Sequence, residues 1–273
     1  MYKRQLLTRF GENIAVAADQ EGAPALLRLL EHSSHRRYVQ REVPRELLRL
    51  LCACALAAPS KSDLQQADIV QVSDAAKRKV IADLIPDMPW VGEAPVFLVF
   101  CGNNRRIRQV AAMRGKPFAN DHLDAFMNAA VDAGIVLSAF IHAAAFAGLG
   151  CCAISAVRNH AREIGALLEL PDRVFPLAGL CVGYEAGAGR ITPRLPLDVT
   201  VHTDRFDETG IEAKIDGYDR RRAGLAPYAK QRDVARYGSA GFYGWSEDKA
   251  RQYSVSERAD WGAFIRGKKF DLS

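Results

Sequence analysis

The sequence lacks any uninterrupted run of about 20 apolar residues, the length a membrane-spanning helix requires. Its longest apolar stretch, residues 139–152, is shorter and carries His142, so no membrane span is expected. The first 20 residues start basic but contain neither a continuous apolar region nor a small-residue cleavage site, and no signal peptide is read there. There is no internal repeat and no low-complexity tract. Cysteine is sparse, and five of the six (Cys52, Cys54, Cys101, Cys151, Cys152 and Cys181) lie within apolar runs. Neither Cys52-x-Cys54 nor the adjacent pair has the two-residue spacing and second ligand pair of a zinc site, so no metal is expected. Buried thiols in a reduced, cytoplasmic protein are the expectation. The net charge of +5 is spread among 32 acidic residues, with no basic stripe interleaved with aromatics, and a nucleic-acid partner is not expected.

What is present is enough apolar material for a sizeable core: 49% of 273 residues. Helices are predicted over 23–32 and 45–58, the second with Leu47, Leu48, Leu51, Cys54 and Ala55 at helical spacing behind Pro44. Strands are predicted over 69–72 and 96–101, the latter a β-branched and aromatic run after Pro95. A long helix over 121–148 is apolar on every side from Ile135 onward, which predicts burial all round. Its run of small residues allows close packing against the chain's own sheet as easily as against a second copy of the chain, and the second copy is the favoured expectation. Strands at 152–155 and 176–182 follow, around a helix over 162–168. Beyond Thr203 charged and aromatic residues dominate, and this tail has no long apolar run from which to build a core of its own. Three tyrosines and two tryptophans between Tyr237 and Trp261 argue against disorder.

Four segments combine residue types able to hold a ligand. His32, Ser33 and Ser34 beside Arg36 and Arg37 offer neutral donors and forked charge suited to a phosphate, although a solvated basic loop has the same composition. The Pro-broken turn with Ser60, Lys61, Ser62, Asp63 and Gln65 can present several polar groups to one planar heterocycle, or simply cap a turn. The corner after Gly148 and Gly150, reaching Ile154, Ser155 and Ala156, lets a ligand approach backbone amides, or is a tight packing corner. Thr192 and Arg194 flank Pro193, and Pro196 follows, which fixes the direction of Arg194 in what could equally be an exposed rigid loop.

In this order and at these separations the four segments resemble the nitroreductase superfamily, in particular its NADPH-flavin oxidoreductase and major oxygen-insensitive nitroreductase branch. His32, Ser33, Ser34, Arg36 and Tyr38 match a His-Arg-Ser-x-Arg-x-Phe segment, with Ser33 where an arginine is usual, so one phosphate cation is missing or supplied by Arg37. Ala58, Pro59, Ser60, Asp63 and Gln65 match an Ala-Pro-Ser-x-x-Asn-x-Gln turn, with Asp63 in place of asparagine. Residues 148–159 match Gly-Leu-Gly-x-x-x-Ile-Gly-x-x-Arg-Asn, with Ser155 for a glycine, and 192–196 match Lys-Pro-Arg-Leu-Pro, with Thr192 for the lysine. The likeness covers residues 28–202; after that only fragments match, notably Arg236 ahead of Trp245 and Ser246.

The resemblance implies an α+β fold with a central mixed β-sheet flanked by helices: an FMN-binding domain over 1–202 and a C-terminal extension over 203–273 that wraps the partner subunit of a homodimer and covers the active site. It assigns FMN contacts to His32, Ser33, Ser34 and Arg36, to Ser60, Lys61, Ser62, Asp63 and Gln65, to Ile154, Ser155 and Ala156, and to Thr192 and Arg194. Arg236 is carried over as a contact for the 2′-phosphate of NADPH. The implied activity is ping-pong reduction of small acceptors such as nitroaromatics, quinones or flavins by NADPH or NADH, with no metal and no assigned proton-transferring residue. A dehalogenase, an ene reductase, a flavin-fragmenting enzyme or a flavin-binding redox sensor would share these features.

Overall fold

The unbroken apolar run after Pro95 has no polar alternation, the pattern of a strand covered on both faces. The computed structural model of the chain describes residues 2–15 and 20–273. Its sheet has four strands, β1 (Ala67–Gln71), β2 (Val96–Asn103), β3 (Gly150–Ile154) and β4 (Val174–Gly183), in the order β1-β2-β4-β3. Every ladder is antiparallel. Among the described residues, parallel pairing enters only through an isolated bridge between Ser34 and Cys151. Each residue of β2 is buried. The period of two sends Leu98 and Phe100 to one face and Phe97, Val99 and Cys101 to the other.

On the first face, Leu48, Leu51 and Ala55 of the Arg45–Leu56 helix and Ala133, Val136, Phe140 and Ala144 of the Leu123–Phe146 helix close the core. On the second, Ile81 of the Ala75–Leu84 helix and Ile164 of the Ala161–Leu167 helix do the same. The predicted helices over 23–32, 45–58, 121–148 and 162–168 correspond to Ala23–Leu30, Arg45–Leu56, Leu123–Phe146 and Ala161–Leu167. Helices over Lys3–Phe10, Ala75–Leu84 and Arg105–Met113 were not predicted from periodicity.

The long helix departs from the expectation of burial on all sides. Leu123, Met127 and Val131 are exposed, because the helix lies against one face of the sheet and nothing among the described residues covers this i, i+4, i+8 stripe. By length and composition alone the helix could cross a membrane. Here it packs on the sheet and carries a buried carboxylate, Asp132, near its middle.

The chain forms two compact units, one made of the described residues up to Ser33 together with Arg190–Glu257, the other of Ser34–Gly189 with Arg258–Ser273. The sheet lies in the second. There Phe264, Ile265 and Phe270 from the chain's last segment join Phe175 and Ala129 in an aromatic cluster. The first unit has a small apolar centre, Tyr2, Leu6 and Ala23, and is ordered largely by polar ties. Asp219 accepts from Trp245 N (2.8 Å) and Ser246 N (3.1 Å) at the start of the Trp245–Tyr253 helix. Asp248, itself 2% exposed, accepts from Tyr243 Oη (2.9 Å) and Lys249 Nζ (2.6 Å).

Candidate functional site

In the second unit a cavity of about 500 Å³ opens beside the turn that links the Arg45–Leu56 helix to β1, lined among others by Ser60, Asp63, Gln65, Asp68, Arg106 and Asp132. Proline at 59 cannot continue the helix, and Ser60 enters the turn extended (φ −125°). Ser62 (φ 50°), Asp63 (φ 57°) and Gln65 (φ 51°) then adopt the left-handed conformation, which costs a non-glycine residue on the order of 1 kcal/mol or more. Three such residues in four persist only where surrounding contacts over-determine them.

Those contacts come from two residues that periodicity did not reveal. The Asp132 carboxylate accepts from Ser60 Oγ (2.8 Å), Lys61 N (3.0 Å) and Gln66 N (3.1 Å), and Ser60 Oγ in turn accepts from Gln65 N (2.7 Å). Asp132 is 1% exposed with no cation paired to it among the described residues, so these donors carry its compensation. On the other side Arg106 donates Nη1 to the Gln65 carbonyl (2.5 Å) and pairs through Nη2 with Asp68. Gln66 is buried between them: Asn104 Nδ2 donates to its Oε1 (2.8 Å), while its Nε2 finds no acceptor among the described residues. The signal available in the sequence was a lone carboxylate at the centre of an apolar helix, a residue that is costly to bury without a purpose.

The predicted site residues fall in both units. In the second, Ser34 bridges to Cys151 of β3, His35 N donates to the Cys151 carbonyl (2.9 Å), and the Arg36 guanidinium lies 5.5 Å from the centre of the Trp90 ring. Ile154 ends β3 buried; Ser155, exposed, and Ala156, buried, begin a 3-10 turn. Lys61, Ser62, Asp63 and Gln65 are exposed on the strained turn, where Asp63 accepts from Gln65 Nε2 (3.0 Å). Burial raises the Cys152 thiol, and the nearby Arg36 opposes that shift without overcoming it.

In the first unit the structure brings together His32, Thr192 and Arg194 around a residue the sequence reading passed over. Arg9, 6% exposed, donates Nη2 to the His32 carbonyl (2.5 Å), Nε to the Leu30 carbonyl (2.9 Å) and Nη1 to the Thr192 carbonyl (3.4 Å). Its own carbonyl accepts from Arg194 N (2.5 Å). Desolvation, then the neighbouring Arg194 charge, pulls Arg9 below the ordinary arginine value. Arg236 lies apart on the short Val234–Tyr237 helix, exposed, with its guanidinium 5.1 Å from the Tyr237 ring.

Residues 29–184 match the Nitroreductase family model and residues 192–273 the model of the nitroreductase family's C-terminal domain. The chain belongs to the nitroreductase family. It is 33% identical over 228 residues to the FMN reductase [NAD(P)H] of Bacillus subtilis (strain 168), covering 82% of this chain and 89% of that protein. It is 32% identical over 192 residues to the NADPH-flavin oxidoreductase of Vibrio harveyi, covering 70% of this chain and 78% of the relative. The fold superposes on B. megaterium NfrA2 with a TM-score of 0.82 at 29% identity, covering 91% of this chain and 98% of the other. For the Vibrio harveyi NADPH:FMN oxidoreductase complexed with NAD+ the TM-score is 0.77 at 27% identity, covering 89% and 97%. In this nitroreductase the family's helix-and-sheet core and its C-terminal domain are both present.

Proposed function

We propose that this nitroreductase is an FMN-dependent NAD(P)H oxidoreductase that reduces small acceptors such as nitroaromatics, quinones or flavins. The observation that carries the reading is the strained turn held by Asp132 and Arg106 at the mouth of the cavity. An array of exposed polar groups fixed at a backbone cost suits one planar, multiply hydrogen-bonding ligand, and the flavin ring is such a ligand. In this reading Ser60, Lys61, Ser62, Asp63 and Gln65 would contact the ring, with Ile154, Ser155 and Ala156 as further flavin contacts; the resemblance assigns His32, Ser33, Thr192 and Arg194 of the first unit, and Ser34 and Arg36 of the second, each to the ribityl phosphate. Gln66 Nε2, buried in the cavity wall without an acceptor among the described residues, would add a donor for a bound group.

When bound, FMN would supply the redox chemistry that links nicotinamide oxidation to reduction of the acceptor. The protein's part is to orient the ring, tune it and leave one face open. The full protein in this reading is a cytoplasmic homodimer, with the C-terminal extension read over 203–273 packing on the partner and over the active site except for residues 258–273, which pack against the chain's own sheet. The exposed Leu123, Met127 and Val131 stripe of the long helix supports a second copy, because it is apolar surface that nothing among the described residues covers.

The purified protein should be yellow with FMN and should oxidise NADPH in the presence of menadione or a nitrofuran. Colourless protein that gains no flavin spectrum on addition of FMN overturns the reading, and flavin bound without turnover favours a redox sensor. NADPH is the expected donor, with Arg236 on its 2′-phosphate; steady-state rates that favour NADH would remove Arg236 from that role. The Asp63 carboxylate opposes the negative charge of the reduced ring. A unit charge about 4 Å away in a water-like dielectric contributes roughly 1 kcal/mol. Asp63→Asn should therefore raise the flavin midpoint potential by about 20–30 mV for a two-electron couple. Equal potentials in the two proteins would sink that role for Asp63.

A further inference from the structure

The first 28 residues lie outside the stretches matched by the family models, yet their helix Lys3–Phe10 delivers a buried guanidinium to the segments assigned to the flavin phosphate. The ties are several. Arg9 spans the carbonyls of Leu30, His32 and Thr192 and accepts from Arg194 N. Arg221 ties the same corner from the Ile211–Leu225 helix, donating to the Thr8 carbonyl (3.1 Å) and the Arg194 carbonyl (2.6 Å). Glu12 Oε1 accepts from Leu197 N (2.6 Å), and Gly11 turns the chain in the left-handed conformation (φ 78°) where a Cβ would strike the Arg221 side chain.

Arg194 is bonded to Arg9 through the backbone and its charge acts on the Arg9 guanidinium, and neither side chain has a carboxylate ion-pair partner among the described residues. A buried guanidinium, here Arg9, next to the like charge of the exposed Arg194 and with no acid paired to it, is a place that an anion would stabilise. Arg9 also uses only three of its five donor hydrogens on the carbonyls. The chain moreover has Ser33 where the resembling segment carries an arginine, so one cation is missing from the usual set.

We infer that Arg9, supplied by the N-terminal helix, replaces that missing cation: it is a positioning residue that holds the His32 and Thr192–Arg194 segments in register and adds positive charge for the phosphomonoester of FMN. The inference rests on the flavin reading above and is specific to the phosphate end of the ligand. Charge-assisted bonds of this kind are worth about tenfold in affinity or more.

The test compares FMN with riboflavin, which lacks the phosphate, by fluorescence titration of the full-length apoprotein. The native protein is expected to prefer FMN. Arg9→Met should lose about tenfold in FMN affinity with riboflavin affinity unchanged, and Arg9→Lys, which keeps the charge but not the fork, should lie between them. Equal losses for both flavins, or FMN affinity within twofold of native, would overturn the role, as would a loss confined to Arg37→Met. If Arg9→Met does not fold, Arg9→Lys decides by the same FMN-to-riboflavin ratio. A native protein that binds neither flavin overturns the flavin reading and this inference together; a native preference for FMN that Arg9→Met leaves intact overturns this inference alone.

Discussion

Asp132→Asn is expected to raise the FMN dissociation constant about ten- to a hundredfold and to lower Tm by several degrees. The carboxylate gives acceptors to three donors at once, Ser60 Oγ, Lys61 N and Gln66 N. Asparagine has one acceptor oxygen, and its amide would turn an N–H toward a backbone N–H, leaving a buried donor unsatisfied. Hydrogen bonds to a charged group contribute about 1.5–3 kcal/mol each, enough for the stated change in affinity if one is lost. The turn would then leave its left-handed conformation for much of the time, and apparent affinity falls with the fraction of protein that remains competent. Flavin fluorescence titration and a thermal melt read the two effects. An unchanged dissociation constant alongside a lowered Tm would make Asp132 a purely structural residue.

The second large effect lies in the core. Gly102→Ala places a Cβ against the Phe175 ring, with Phe175 Cε1 at 2.7 Å and the Ala129 carbonyl oxygen at 3.0 Å. Phe175 cannot yield easily, since Phe126, Phe270 and Trp261 surround it with ring centroids at 5.0, 5.5 and 6.3 Å. Nor can the Ala129 carbonyl, which belongs to the long helix lying across the strand. Overpacking of this kind costs about 1–3 kcal/mol, which for a chain of this size lowers Tm by about 2–10 °C. Gly217→Ala, on the Ile211–Leu225 helix where a Cβ meets nothing within 4 Å, should leave Tm unchanged or raise it. A Gly102→Ala protein as stable as the native one would show that the strand and helix are less closely apposed than the structure has them.

Both effects turn on the long helix, and it shows how far the residues could be read in isolation. Its length and apolar character followed from composition, and so did its close-packing small residues. That it lies on one sheet face, leaving Leu123, Met127 and Val131 uncovered, did not follow, because an all-round apolar pattern carries no phase by which to choose a face. Likewise the run after Pro95 announced a doubly buried strand, but its extension to Asn103 depends on pairing with Phe175 and Val174, distant in sequence. The helices of the tail escaped prediction because polar ties such as those of Asp219 and Asp248 hold them, and such ties leave no periodic trace.

The sequence by itself determined the family and the fold class, because these depend on short motifs in a set order, and it named the segments proposed here to hold a flavin. Tertiary structure alone decided what supports those segments. Asp132 lies 72 residues from its furthest partner in the strained turn, Ser60, and Arg9 lies 183 residues from Thr192, so no local pattern could have joined them. A buried charge finds its partners only once the chain has folded, since desolvation, not spacing, requires that each be satisfied.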